Sequence, residues 1–369
     1  MDGSQRDMRR AIELAQRGWG RVSPNPLVGA VVRSADGRLL GEGWHEGPGT
    51  DHAEVMALRA AGRRARGATV VCTLEPCNHV GRTPPCTRAL IDAGVARVVV
   101  GAVDPNLGEG APGLAELRAA GIRVTEGIDR DACHELNVAF EHHVRTGRPF
   151  VVLKQAASLD GKTAAADGSS RWISSAESRA DVQRLRAWSD AIVVGGATVA
   201  HDDPSLTVRD PRFASARPPL RVILDPAGRV DPASRVFDEA APTVVATTDR
   251  APEGRTASWH RAGAEVLILD RDADGRVELA GLLDVLGKRD VQGVLVEAGP
   301  RLAWSFLEGR LADRVVLYLA PKVIGGATAG SLVGGDGFAP VDAALPLRFE
   351  RVELIGPDLK VVARVHRDR

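Results

Sequence analysis

Apolar and polar positions follow two periods along this chain, and the switches between them mark out most of its elements. Met8, Ile12, Leu14 and Ala15 recur at near-helical spacing, which predicts a helix over 6–17. Ser23-Pro24-Asn25-Pro26 ends it. Residues 27–32 and Leu39–Trp44 read as strands joined through the hairpin pair Asp36-Gly37. A helix over Ala53–Ala61, stopped by Gly62, is followed by a strand over 68–74 and a helix over 87–93. A strand over 95–103, a helix over 113–120 and a helical stretch over 131–144 come next. The second half predicts strands over 150–157, Ala191–Gly195, Leu220–Leu224, Thr243–Thr247, 265–269, Gly293–Glu297 and 315–319. Helices are expected over 175–188, 279–286 and 301–307, and a closing hairpin over 349–365. Strands alternating with helices mean α/β layers. The last strands lack helical crossovers, so the second sheet should be mostly parallel with an antiparallel edge.

At 369 residues the chain is too long for one ordinary core. Gly147-Arg148-Pro149 interrupts the pattern, which predicts two domains, 1–146 and 147–369. The 48 basic and 48 acidic residues cancel, so no overall field draws the protein to nucleic acid or to a membrane. One tyrosine, seven phenylalanines and six tryptophans are few for base-stacking platforms. No apolar run approaches the ~18 residues of a membrane span, and residues 1–21 do not form a secretory signal. Four cysteines without a disulfide pattern fit a reducing, cytoplasmic setting.

The chemistry concentrates in His52-Ala53-Glu54 and in the stretch from Thr73 to Cys86. His52, Cys77 and Cys86 supply three zinc ligands, and three protein ligands leave the fourth tetrahedral position for water. The order H-x-E…P-C…C is that of zinc deaminases, in which the glutamate moves protons during attack on an amino-bearing ring carbon. Glu54 would be that catalytic residue. The strand over 68–74 delivers Cys77 to the next helix start, Cys86 begins that helix and His52 opens the one before, so zinc would sit where two helix N-termini meet and their dipoles favour hydroxide and thiolate. Cys72 lies in an apolar run and reads as core, while Cys133 has no evident role. Asn25 between two prolines suits either a ligand contact or an ordinary turn, and His45 alone reads as surface. Gly108-Glu109-Gly110-Ala111-Pro112-Gly113 matches G-x-G-x-x-G but sits in a loop, several residues past its strand, so it is not a dinucleotide fingerprint.

The first half resembles the deaminase domain of the bifunctional riboflavin-biosynthesis deaminase–reductases. The matching pieces are Pro24-Asn25-Pro26, Val28-Gly29, His52-Ala53-Glu54-Val55 and Thr73-Leu74-Glu75-Pro76-Cys77 to Cys86. The mark of that family is the long inter-cysteine loop, from Asn78 to Pro85, where generic zinc deaminases have P-C-x-x-C. Asn78 stands where serine is expected. The resemblance implies substrate contacts at Asn25, His45, His79 and Arg82.

The second half resembles the family's reductase, through Lys154 to Lys162, Ser170-Arg171-Trp172-Ile173, Thr198-Val199, Asp202 to Arg209, Val296 to Pro300 and Ala320-Pro321-Lys322 to Gly326. It implies a cytidine-deaminase-like three-layer domain followed by a dihydrofolate-reductase-like domain. It implies zinc and NADPH as cofactors. The expected NADPH contacts are Ala156, Trp172, Thr198, Asp202 and Gly299; the expected substrate contacts are Ser170, Arg186, Leu206, Arg209 and Glu297. Gly299-Pro300 before a helix suits a phosphate, though plain capping uses the same pair. Arg186 and Arg209 are the cations suited to the substrate phosphate. The implied reactions are hydrolytic deamination of a phosphoribosylamino-pyrimidine and reduction of its ribose to a ribityl chain. The partner is thus a small molecule, not nucleic acid or membrane, and a homo-oligomer is expected. The alternative is another zinc nucleoside or nucleic-acid deaminase with an appended domain.

Overall fold

A computed structural model describes residues 3–80, 84–107, 111–213 and 217–365. It divides into two compact units, Met1–Gly147 and Arg148–Arg369.

The first unit contains α1 (Gly3–Ala15), β1 (Gly29–Arg33), β2 (Leu39–Trp44), α2 (Ala53–Ala61), β3 (Thr69–Leu74), α3 (Cys86–Ala93), β4 (Arg97–Ala102), α4 (Pro112–Ala119), β5 (Arg123–Glu126), α5 (Arg130–Leu136) and α6 (Val138–Thr146). Its five-stranded sheet runs β2-β1-β3-β4-β5. β1 is antiparallel to both β2 and β3, while β3, β4 and β5 are parallel. Ala30, Val32, Val70, Cys72, Val98 and Val100 bury one face under α2, α3 and α4 through Ala57, Leu90, Leu114 and Leu117. Each large apolar side chain buried this way stabilises by about 1.5–3 kcal/mol. Met8, Val71, Leu74, Val99 and Cys133 fill the other face.

α2 lies almost backbone-on-backbone over β2. A Cβ on Gly41 would stand 2.2 Å from the Ala57 carbonyl oxygen, and one on Gly43 would stand 2.3 Å from that of Ala53. Only glycine permits that approach, and it fixes the start of α2, where His52 and Glu54 sit. The expected single helix over 131–144 is instead two. Asn137 separates α5 from α6 because its side chain accepts from Leu27 N (2.8 Å) and donates to Leu27 O (2.9 Å), a tertiary demand that the local period cannot reveal.

The second unit contains β6 (Phe150–Ser158), α7 (Ala176–Trp188), β7 (Ala191–Gly195), α8 (Gly196–Asp202), β8 (Leu220–Leu224), β9 (Thr243–Thr247), α9 (Glu253–Arg261), β10 (Glu265–Ile268), α10 (Leu279–Gly287), β11 (Gly293–Glu297), α11 (Pro300–Glu308), β12 (Arg314–Ala320), β13 (Leu347–Ile355) and β14 (Asp358–Val365). The sheet order is β10-β9-β8-β7-β11-β6-β12-β14-β13. Every pairing from β10 to β12 is parallel, and β14 and β13 close it antiparallel. The sheet is thus mostly parallel with an antiparallel edge, as the pattern predicts. α8 and α9 were not expected. Each buries a single apolar anchor, Val199 and Trp259 respectively, too few to produce a helical period. No helix among the described residues is long and apolar enough to cross a membrane.

Candidate functional sites in the two units

In the first unit, β3 ends at Leu74 and the chain turns through Glu75-Pro76 to Cys77. α3 begins at Cys86, and its unpaired N-terminal amides face back onto that turn. Cys86 N donates to Cys77 Sγ (3.4 Å) and Thr87 N to Cys77 O (3.1 Å). His52 is the residue before α2, in extended conformation. Its Nδ1 lies 3.2 Å from Cys86 Sγ and 3.5 Å from Cys77 Sγ. The three donor atoms all lie within 4.8 Å of one another. Zn–S bonds of ~2.3 Å and Zn–N bonds of ~2.0–2.1 Å set tetrahedral ligand spacings of about 3.5–3.8 Å, so the set fits a zinc ion. The Cys86 thiol beside it and the His52 ring hold Cys77 down at about 4, which favours the thiolate that a metal needs.

Glu54 occupies the first turn of α2 and is 3% exposed. Among the described residues its Oε2 has no hydrogen-bond partner, and burial pushes its carboxyl up to about 7. His45 is buried beside this set. Its ring meets His52 edge-on at 5.4 Å, and its Nε2 lies 3.0 Å from Asn25 Nδ2. Asn25 and His45 therefore come together although 20 residues separate them. Burial lowers the His45 pKa, which favours the neutral ring. His79 is exposed on the inter-cysteine loop, and Arg82 lies outside the described residues.

Two features of this site carry no motif signal. Glu75 is buried, and its Oε1 accepts from Gly113 N (2.9 Å) while its Oε2 accepts from Asp104 N (3.3 Å). It thereby ties the Cys77 turn to the start of α4. Gly113 is the last glycine of the rejected G-x-G-x-x-G, whose first three residues lie outside the described ones. Its lack of a Cβ serves packing, since one would stand 2.2 Å from Pro76 O. Cys133 also gains a role: it fills the core against Gly101.

In the second unit, Glu297 ends β11 and Lys154 is its neighbour on β6. Arg186, from α7, grips Glu297 through Nε (2.6 Å) and Nη2 (3.0 Å) and donates from Nη1 to Thr207 O (3.0 Å). Burial opposes the Glu297 charge, but Arg186, then Lys154 and Arg209, outweigh it and hold the carboxyl at about 2. Arg186 is only 7% exposed, and three of its N–H directions are already used. Two further N–H directions of its guanidinium are uncommitted among the described residues. Arg209 is exposed, and its guanidinium has no hydrogen bond or ion pair among the described residues.

The remaining expected residues fall around the C-terminal ends of the parallel strands. Gly299 precedes α11 with Pro300 at the first helical position, and a Cβ there would lie 3.7 Å from Thr198 Oγ1. Asp202 ends α8, and its carbonyl accepts from Arg171 Nη2 (2.9 Å). Trp172 is 64% exposed, with the Arg179 guanidinium 4.5 Å from its ring centre. Ala156, on β6, and Ser170 are half-buried, and Leu206 is buried with φ 49. The Thr198–Gly299 approach joins two stretches that the sequence shows only separately.

Residues 1–102 match the family model described as cytidine and deoxycytidylate deaminase zinc-binding region, and residues 149–361 match the RibD C-terminal domain. The riboflavin biosynthesis protein RibD of Escherichia coli is 42% identical over 362 residues, covering 95% of this chain and 96% of the relative. The chain belongs to the RibD family. A solved Acinetobacter baumannii RibD structure is 38% identical, with a TM-score of 0.86 and 99% of each chain covered. The Thermotoga maritima structure named as a diaminohydroxyphosphoribosylaminopyrimidine deaminase/5-amino-6-(5-phosphoribosylamino)uracil reductase is 36% identical, again with a TM-score of 0.86 and 99% of each chain covered. Like its RibD relatives, the chain is a bifunctional deaminase–reductase of riboflavin biosynthesis, with a cytidine-deaminase-like fold followed by a dihydrofolate-reductase-like one. Its cofactors are zinc and NADPH.

Proposed function

We propose that residues 1–146 deaminate 2,5-diamino-6-(5-phosphoribosylamino)pyrimidin-4-one and that residues 147–369 reduce the ribose of the product. His52, Cys77 and Cys86 hold zinc, and Glu54 moves the protons. The observation that carries this reading is the buried, unpartnered Glu54 Oε2 beside a three-donor set. Zinc supplies a Lewis acid and lowers the pKa of water there. Glu54 carries two protons in turn: the first from water to the ring nitrogen, the second from the hydroxyl now on the ring carbon to the leaving amine. Water is consumed and ammonia released. His45, paired with Asn25, orients the pyrimidine, with His79 and Arg82 contributing from the inter-cysteine loop.

For the second step, Ala156, Trp172, Thr198, Asp202 and Gly299 hold NADPH, which supplies a hydride to C1 of the ribose. Ser170, Arg186, Leu206 and Glu297 contact the substrate, and Arg209 takes the phosphate. Arg186 contributes by fixing Glu297 and the Thr207 backbone. The exposed Arg209 guanidinium near the Arg186–Glu297 pair supports this division of labour. A homo-oligomer is part of the same proposal, supported by the exposed Phe349, Val352 and Leu354 on the edge strand β13; sedimentation measures it. So is a cytoplasmic setting, supported by four free cysteines.

The test supplies each step's substrate separately and follows ammonia and NADPH absorbance. Glu54→Gln loses deamination by about 10²-fold or more and oxidises NADPH normally. Asp202→Ala does the reverse. Loss of both activities in a folded Glu54→Gln protein would end the two-site proposal.

A further inference from the structure

The segment from Asp203 to Arg209 forms neither helix nor strand, yet it is held along its length. Just before it, Arg171 donates to the Asp202 carbonyl (2.9 Å). Arg235 N and Nε donate to the two carboxylate oxygens of Asp203 (2.8 and 3.0 Å). Arg221, fully buried, reaches Ser205 O (3.4 Å), and Arg186 reaches Thr207 O (3.0 Å). The last stitch is Gln183, whose Oε1 accepts from Arg209 N at 2.7 Å. Asp203 and Leu206 both adopt left-handed φ (40° and 49°), which costs non-glycine residues energy and persists only where the surroundings enforce it.

These contacts differ in what they fix. Arg171, Arg235, Arg221 and Arg186 hold the body of the loop. Among the described residues, Gln183 alone holds the backbone of Arg209, the one segment residue with a long cationic side chain, whose guanidinium makes no hydrogen bond or ion pair there. Gln183 lies one turn before Arg186 on α7. One face of one helix therefore fixes Glu297 through Arg186 and the root of the Arg209 side chain through Gln183. A guanidinium rooted on an unrestrained backbone would pay the ordering cost when it meets an anion. One rooted on a fixed backbone has already paid part of it.

We propose that Gln183 is a positioning residue for the reductase. Its side-chain carbonyl sets the backbone at Arg209 and so directs that guanidinium toward the phosphate of the ribose substrate. This rests on the assignment of Arg209 to the phosphate. Gln183 touches neither substrate nor cofactor in this role.

The test is a double-mutant cycle in the full-length enzyme, measured on the reduction step with deaminated, phosphorylated substrate. Gln183→Met keeps the length and removes the acceptor. It should raise the KM for that substrate about 3- to 10-fold, the worth of one net hydrogen bond. It should leave kcat, the KM for NADPH and ammonia release unchanged. It should also shrink the preference for phosphorylated over dephosphorylated substrate by the same factor. In an Arg209→Ala background, Gln183→Met should have no further effect. A Gln183→Met enzyme with wild-type KM beside an impaired Arg209→Ala overturns the role of Gln183 and leaves the Arg209 assignment standing. Additive effects, or a general loss of kcat, also overturn it. An Arg209→Ala enzyme with unchanged phosphate preference removes the assignment itself.

Discussion

Glu75 accepts a 2.9 Å hydrogen bond from the backbone of Gly113, and Gly113 has no room for a side chain above the Pro76 carbonyl. The turn that presents Cys77 is therefore clamped from beneath by a helix start that belongs to no recognisable zinc motif. The proposed metal ligands depend on a packing contact 38 residues along the chain.

Gly113→Ala should destabilise the first unit by about 1–3 kcal/mol, because the new methyl meets a backbone carbonyl that cannot rotate away. Glu75→Gln should cost less, since one acceptor oxygen remains. Both variants should release zinc to a chelator faster than the wild type. Denaturant melts and timed chelation check this, and a Gly113→Ala protein with unchanged stability refutes it.

Cys86→Ala should abolish tight zinc binding. It removes one of three protein ligands and leaves His52 and Cys77 to hold the ion alone. Metal analysis after dialysis is the measurement, with about one zinc per chain expected in the wild type and near none in the variant. Reduction of the deaminated substrate should be unaffected.

Arg186→Lys should not substitute for arginine. The grip on Glu297 uses two nitrogens of one plane, and a third direction reaches Thr207. An ammonium satisfies at most part of this. Arg186→Ala leaves a buried carboxylate short of its main counter-charge and should cost about 3–5 kcal/mol. Both variants should lose reduction while keeping deamination, as seen by thermal melts and the paired assays.

The Glu297 pair also sets an acid limit. Its carboxyl sits at about 2 in the fold against an ordinary 4.5. A group with a depressed native pKa contributes its stability in full above the unfolded value and loses it as pH falls toward the native one. The advantage of wild type over Glu297→Gln should therefore be constant above about pH 5 and vanish between pH 4.5 and 2. Denaturation curves across that window test the sign.

The elements legible in the sequence are those whose burial is continuous. Ala191–Gly195, Leu220–Leu224, Thr243–Thr247 and Gly293–Glu297 are short apolar runs between turn residues, and the strands occupy those bounds. β5 and α8 escape because Arg123–Glu126 is short and half-exposed, and Gly196–Asp202 offers only Val199 to the core. The proposed zinc donors are readable because their chemistry needs those residue types in that order, and the structure brings the three side chains together. The partnership of Arg186 with Glu297 is not readable. It spans 111 residues, and a lone arginine on a charged helix looks like solvated surface until the sheet beneath it is known. The same holds for Glu75, whose partners are backbone amides without side-chain identity.

The strand orders carry a consequence for synthesis. All five strands of the first sheet lie between Gly29 and Glu126, so that sheet can close before any strand of the second is made. β6 is the first strand of the second sheet to emerge, yet it lies between β11 and β12, which end at Glu297 and Ala320. Its apolar run Phe150-Val151-Val152-Leu153 must wait, both edges unpaired, until β11 is made. A strand in that state is a template for pairing with other chains. Ribosome-stalled chains ending near residue 200 should thus resist protease up to Gly147 and be cut beyond it, and they should be the species that chaperones bind most.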